Sequence, residues 1–148
     1  MLVPRITEPG YLDKILEICR EKQITGVLSL IDPELSLLAD YKERFLEVGT
    51  VPSVPDAKQV DICFHKYAMY EACKALGFAT GRCFLDRKEF YHAVENGELT
   101  YPVFVKPESG SASLDIHMAQ DQETVEFLCG REDGLMILEF MNGQEYGA

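Results

Sequence analysis

No run of about 18 apolar residues occurs anywhere in the chain, so the sequence offers no membrane-crossing helix. The opening MLVPRITEPG has no basic segment followed by an apolar one, and no secretory signal is read there. Five cysteines occur (Cys19, Cys63, Cys73, Cys83, Cys129), without a CxxC pair. An odd number of thiols without metal spacing or signal fits reduced cysteines in a cytoplasm, and Cys19, Cys63 and Cys73 read as small buried hydrophobes within helical patterns. Positive charge is scarce, with 14 Lys and Arg against 25 Asp and Glu, a net −11. A field of that sign repels a nucleic-acid backbone. It leaves room for a small anionic ligand, which needs only a few local cations and backbone N–H groups. The three histidines include no pair at ligand spacing: His92 has only Glu89 and Glu95 a turn away, and His117 only Asp115. Internal repeats and low-complexity segments are absent.

What is present is one small domain or one and a half. Thr7-Glu8-Pro9 predicts a helix start with Pro9 in the first turn, and Leu12, Ile15, Leu16 and Cys19 recur at helical spacing. The apolar run Val27 to Ile31 has strand length and suits a strand covered on both faces. A helix follows from Pro33 to Gly49, with Leu35, Leu38, Tyr41, Phe45 and Leu46 as its inner face. This helix–strand–helix piece is short for a parallel layered domain, because no strand precedes the first helix. Val51 to Pro55 reads as a turn-rich joint, and Ser53 with Asp56 as a cap for a helix to about Phe64. Another helix is predicted from His65 to Leu76, with Met69, Ala72, Cys73 and Leu76 inward and Gly77 closing it. Then come a strand from Arg82 to Leu85 and a helix from Asp86 to Gly97. The rest reads as strand Val103–Lys106, polar loop Pro107–Ser113, strand Ile116–Ala119, helix Asp121–Cys129 and strand Met136–Met141. Strand, short loop, strand is antiparallel, so this half is α+β.

Chemistry concentrates in five places. Lys106 ends the apolar run Tyr101-Pro-Val-Phe-Val-Lys-Pro. An ammonium in dry surroundings needs an anionic partner, although a stem lying on apolar surface with its head in water is the plainer reading. The following Glu108-Ser-Gly-Ser-Ala-Ser113 can bring backbone N–H groups to phosphate oxygens, or can be an ordinary serine-rich turn. Glu139 interrupts the apolar Leu135-Met-Ile-Leu-Glu-Phe-Met and also asks for a partner, with Lys106 the obvious candidate, unless the strand emerges into water there. Glu145 could accept both hydroxyls of a ribose or be plain surface charge. His65-Lys66 opens a helix at its electropositive end, which hints that an anion sits there.

Taken in order, these pieces resemble the ATP-grasp superfamily and are similar to the carbamoyl phosphate synthase large chain. His65-Lys66 with the Leu76-Gly77 helix end resembles the family's basic residue, helix and glycine. Tyr101-Pro-Val-Phe-Val-Lys-Pro resembles its lysine strand, Ser109-Gly-Ser-Ala-Ser113 its phosphate flap, and Glu139-Phe-Met-Asn-Gly-Gln-Glu145-Tyr its hinge. Pro4-Arg5-Ile6 through Asp32-Pro33-Glu34 resembles the tail of the preceding pre-ATP-grasp domain. The resemblance implies a partial Rossmann-like pre-ATP-grasp domain at 1–54. At 55–148 it implies the α+β first subdomain of an ATP-grasp module, the second being absent. It implies that Lys66 and Lys106 contact ATP phosphates and that Ser109, Gly110, Ser111, Ala112 and Ser113 close over them. Glu139 would lie by the adenine amino group, main-chain groups near Phe140 and Met141 would pair with the adenine edge, and Glu145 would hold the ribose. Relatives of this type phosphorylate a carboxylate or bicarbonate and let an amine or ammonia attack the acyl phosphate, with Mg²⁺ neutralising charge. The acidic residues and asparagine that bind the metal would come later than this chain. The expected product is therefore a nucleotide-holding piece that is inactive alone, with a homo-oligomer or association through cut edges both open to it. An interaction module that keeps the fold without the nucleotide is the alternative. Two positions depart from the pattern. Glu108 stands where relatives often carry a basic residue, and Asp115 where a glycine is expected.

Overall fold

The computed structural model describes residues 2–110 and 115–144. The chain divides into two compact units, Met1–Cys63 and Phe64–Ala148.

The first unit runs α1 (Tyr11–Glu21), β1 (Gly26–Val27), α2 (Asp32–Asp40), α3 (Lys42–Glu47), β2 (Val51–Pro52) and α4 (Ala57–Phe64). Leu16, Cys19, Leu38 and Phe45 form its core, lined by Leu12, Ile15, Val27, Val48 and Val54. The helix spacing of α1 is as predicted, but the helix starts later: Gly10, at φ 84, sits at the N-cap, and Pro9 lies in the preceding turn rather than in the first helical turn. The predicted strand Val27–Ile31 shrinks to two residues, and Leu28, Leu30 and Ile31 are exposed. Ser29 explains the break. Its hydroxyl donates to Glu34, which also accepts from Tyr11, and accepts from the Ile31 N–H at 3.2 Å, so the chain turns into α2. Burial pushes the Tyr11 hydroxyl up to about 12, and the bond to Glu34 adds to the shift. The single helix expected to Gly49 is two, broken at Tyr41 (φ −108), which leaves Tyr41 and Leu46 exposed instead of inward. The supposed joint at Val51-Pro52 is a strand pairing parallel with β1, Gly26 opposite Val51. Buried Thr50 seats it by donating to the Ile24 carbonyl at 2.7 Å. Cys63 is exposed, against the buried position expected of it.

The second unit runs α5 (Lys66–Ala75), β3 (Cys83–Phe84), α6 (Arg87–Glu95), β4 (Val103–Pro107), β5 (His117–Ala119), α7 (Gln122–Arg131) and β6 (Leu135–Glu139). These follow the predicted elements within one or two residues. The four strands form one sheet in the order β3-β6-β4-β5, each neighbour antiparallel, as the α+β pattern requires. Val103, Val105, Ala119 and Ile137 of the sheet pack on Phe90 and Ala93 of α6 and Val125 of α7. Asp86 and Asp121 cap α6 and α7, accepting from the N–H groups of Lys88 at 2.6 Å and Thr124 at 2.9 Å. Leu76, predicted inward, is exposed at the C-cap of α5. Among the described residues no helix is long and apolar enough to cross a membrane.

Phe90 is fully buried and its ring meets those of Phe84, Tyr91 and Tyr101. Phe90→Ala should therefore cost about 3–5 kcal/mol in denaturant unfolding followed by circular dichroism. Leu76→Ala should stay within about 0.5 kcal/mol. The Thr124 hydroxyl and N–H hold the Asp121 carboxyl below its ordinary value, so its stabilising contribution is full above that value and fades as pH falls through the folded one. Asp121→Ala should lower the melting temperature at neutral pH, and the gap to wild type should close on acidification.

Candidate nucleotide-binding face

The register of β4 against β6 sorts the candidate residues. Val103 lies opposite Glu139, Phe104 opposite Leu138, Val105 opposite Ile137 and Lys106 opposite Met136. Side chains alternate across a pleated strand, so Val103 and Val105 enter the helix-covered core while Phe104 and Lys106 stand on the other face. Leu138 joins them there, with Cys83 of β3 and Met118 of β5 in the same row. Phe140, just past β6, brings its ring to 5.4 Å from Phe104. The result is an apolar, partly aromatic face with one cation, half-buried Lys106.

The expected ion pair between Lys106 and Glu139 is not formed among the described residues. Their registers are three residues apart, roughly 10 Å along the strand, and they start on opposite sides of the pleat. Glu139 instead exchanges two bonds with Arg82: its N–H donates to the Arg82 carbonyl at 2.9 Å, and its Oε2 accepts from the Arg82 N–H at 2.9 Å. The carboxylate thus replaces a main-chain acceptor where β3 meets β6. Both charges still act on one neighbour. Burial pushes the Cys83 thiol up to about 11, Lys106 pulls it down and Glu139 pushes it further up. Cys83 had no expected role beyond a thiol in a strand, and only the sheet register reveals it. Gly81 was missed as well. A Cβ there would come to 3.1 Å from the Met141 Sδ, so glycine lets the segment after β6 pass close to β3.

Lys66 is the first residue of α5. Its Nζ donates to the Gly110 carbonyl at 2.8 Å and to the Glu108 carbonyl at 3.3 Å. Of the expected phosphate loop, Ser109 and Gly110 are described, Gly110 at φ 104. Ser111, Ala112 and Ser113 lie outside the described residues, as does Glu145. Glu108 meets the α5 end: its Oε2 is 2.9 Å from His65 Nδ1 and its Oε1 accepts from the Tyr67 N–H at 3.4 Å. The anion that the His65-Lys66 helix start called for is therefore a carboxylate of the chain itself. Asp115 has φ 55, the left-handed region, which explains why a glycine is expected at that position; aspartate tolerates the region better than most residues. Among the described residues no group of three or more His, Cys, Asp or Glu could hold a metal ion.

Thiolate content governs alkylation rate. Iodoacetamide at neutral pH should modify exposed Cys63 before Cys83, as followed by peptide mass spectrometry. Lys106→Met should slow the reaction at Cys83 and Glu139→Gln should speed it. Unchanged rates in both variants would contradict the geometry.

Residues 1–53 match the family described as the PylC-like, N-terminal domain. The D-alanine–D-alanine ligase of Ruminiclostridium cellulolyticum is 31% identical over 70 residues, covering 40% of this chain and 19% of that protein. Among solved structures, an L-amino acid ligase from Bacillus licheniformis matches with a TM-score of 0.64 at 18% identity, over 95% of this chain and 32% of its own. The biotin carboxylase domain of the Hydrogenobacter thermophilus 2-oxoglutarate carboxylase matches with a TM-score of 0.62 at 18% identity, over 87% of this chain and 31% of its own. The chain thus spans about a third of the solved ligases it matches and a fifth of the curated one. These likenesses, joined to the sheet order, show that the chain shares the mixed α/β fold of these solved structures.

Proposed function

We propose that this chain holds the nucleotide of an ATP-dependent ligase that joins a carboxylate or bicarbonate to an amine or ammonia, in the manner of carbamoyl phosphate synthase. The observation that carries the reading is Lys106: a half-buried cation on an apolar face, with no carboxylate bonded to it among the described residues. A ligand with phosphates at one end and a flat base at the other suits that face. Phe104, Leu138 and Phe140 supply apolar and aromatic surface for the base, and Lys106 lies about 7 Å further along β4 from Phe104, toward residues 108–110. Glu139, although its Oε2 accepts from the Arg82 N–H, would offer its other carboxylate oxygen to the adenine amino group, with main-chain groups of Phe140 and Met141 on the adenine edge. Lys66, Lys106 and the backbone of residues 109–113 would hold the phosphates, and Glu145 the ribose. Residues 1–54 would be the pre-ATP-grasp part and residues 55–148 the first ATP-grasp subdomain.

In the whole protein the γ-phosphoryl group would pass to a carboxylate oxygen, releasing ADP, and the amine would then displace phosphate from the acyl carbon. Mg²⁺ bound with the nucleotide would neutralise the phosphates and stabilise the transferring group. The described residues do not furnish its site, and no step is assigned to them through it. Support comes from the ligase neighbours, one of which is described with MgADP and bicarbonate. The role of this chain's residues is narrower: they bind and orient the nucleotide and shield its base from water.

A second reading, an interaction module that keeps the fold without the nucleotide, draws its support from Glu108, whose carboxylate occupies the start of α5 against His65 and the Tyr67 N–H. Calorimetric titration with Mg-ATP separates the two. Binding should be measurable, and Lys106→Met should weaken it by about 1.5–3 kcal/mol, the range for a hydrogen bond to a charged group. An absence of binding, or equal binding by the variant, would leave the second reading standing.

A further inference from the structure

The N-terminus of α5 has no side-chain cap from its own element: His65 occupies the N-cap position and makes no such bond. Four first-turn N–H groups and the positive end of the helix dipole ordinarily draw an anion there. Glu108 fills that role from the end of β4, by two separable sets of bonds. Its main-chain carbonyl accepts from the Lys66 N–H at 3.1 Å and from the Lys66 Nζ at 3.3 Å. Its carboxylate meets His65 Nδ1 at 2.9 Å and the Tyr67 N–H at a long 3.4 Å. The Glu108 side chain is only 18% exposed, against 42% for His65.

The main-chain set, together with the bond from Lys66 Nζ to the Gly110 carbonyl at 2.8 Å, already ties the loop to α5. The carboxylate adds the His65 contact at 2.9 Å and a long bond from the Tyr67 N–H at 3.4 Å, and it brings a full negative charge to the α5 terminus whose first residue, Lys66, the nucleotide reading assigns to phosphate. We propose that Glu108 sets the phosphate affinity of this site, acting as an internal anion that lowers the affinity of Lys66 and the α5 terminus for an incoming phosphate. The proposal deepens the nucleotide reading and rests on it for the identity of the ligand. In this role Glu108 is a positioning and affinity-setting residue. Its carbonyl touches Lys66, its carboxylate touches His65 and the Tyr67 N–H at the helix terminus, and that carboxylate opposes the ligand by like charge.

Glu108→Gln keeps the side-chain length and an acceptor oxygen while removing the charge. The full chain and this variant are titrated separately with Mg-ATP and with inorganic tripolyphosphate, and Glu123→Gln on exposed α7 surface serves as the charge control. Both ligands should bind Glu108→Gln about tenfold more tightly than wild type, with Glu123→Gln unchanged. Equal or weaker binding of both ligands by Glu108→Gln overturns the proposal while wild-type ATP binding keeps the nucleotide reading. An equal gain in Glu123→Gln overturns it too, since net charge alone then suffices. Tighter tripolyphosphate binding without any ATP binding keeps the proposal and sinks the nucleotide reading. No binding of either ligand to any protein removes both. Should Glu108→Gln lose helicity, the wild-type Tyr67 amide resonance reads the same competition: a shift on adding tripolyphosphate supports it, and a fixed resonance overturns it.

Discussion

The pairing of β4 with β6 is the constraint on which the second unit depends. With Val103 set opposite Glu139 and Lys106 opposite Met136, the alternation of the pleat leaves no freedom in where the intervening side chains go. The valines and Ile137 must meet α6 and α7, and Phe104, Leu138 and Lys106 must meet whatever lies on the other side. A slip of one residue would put an ammonium into the core and a valine on the open face. The cost of burying that unpaired charge defends the register as firmly as the burial of the valines does.

The same register separates two charges that the sequence suggests as partners. Lys106 and Glu139 each interrupt an apolar run, and each is half-buried, yet each is accommodated differently. Glu139 becomes part of the backbone hydrogen-bonding scheme through Arg82, fixing where β3 begins. Lys106 remains on the open face with its charge felt by Cys83. Because the two do not pair among the described residues, the nucleotide reading proposed for this face requires no ion pair between them to be broken first.

Glu108 and Asp115 depart from the motifs that the sequence otherwise resembles, and each has a local physical account. Asp115 takes up a left-handed backbone position that a glycine would adopt without strain. Glu108 supplies the capping group that α5 lacks in its own sequence.

The sequence by itself determined the elements of the second unit, because each is punctuated locally. Asp86 and Asp121 cap their helices, Gly77 and Gly97 end theirs, and strand-length apolar runs of alternating burial lie between. It determined the four candidate segments, since charges inside apolar runs are visible without coordinates. It was less informative in the first unit, where β1 and β2 are two residues each and exist only through each other. Nothing local in Val51-Pro52 announces a strand, and the bonds from Thr50 to Ile24 and Val51 to Thr25 are long-range. Only the tertiary structure decided which face Lys106 and Glu139 occupy, that Cys83 stands beside both, and that the anion at the start of α5 is Glu108. Those facts follow from strand register and from contacts between residues more than forty positions apart, and no spacing within one element encodes them.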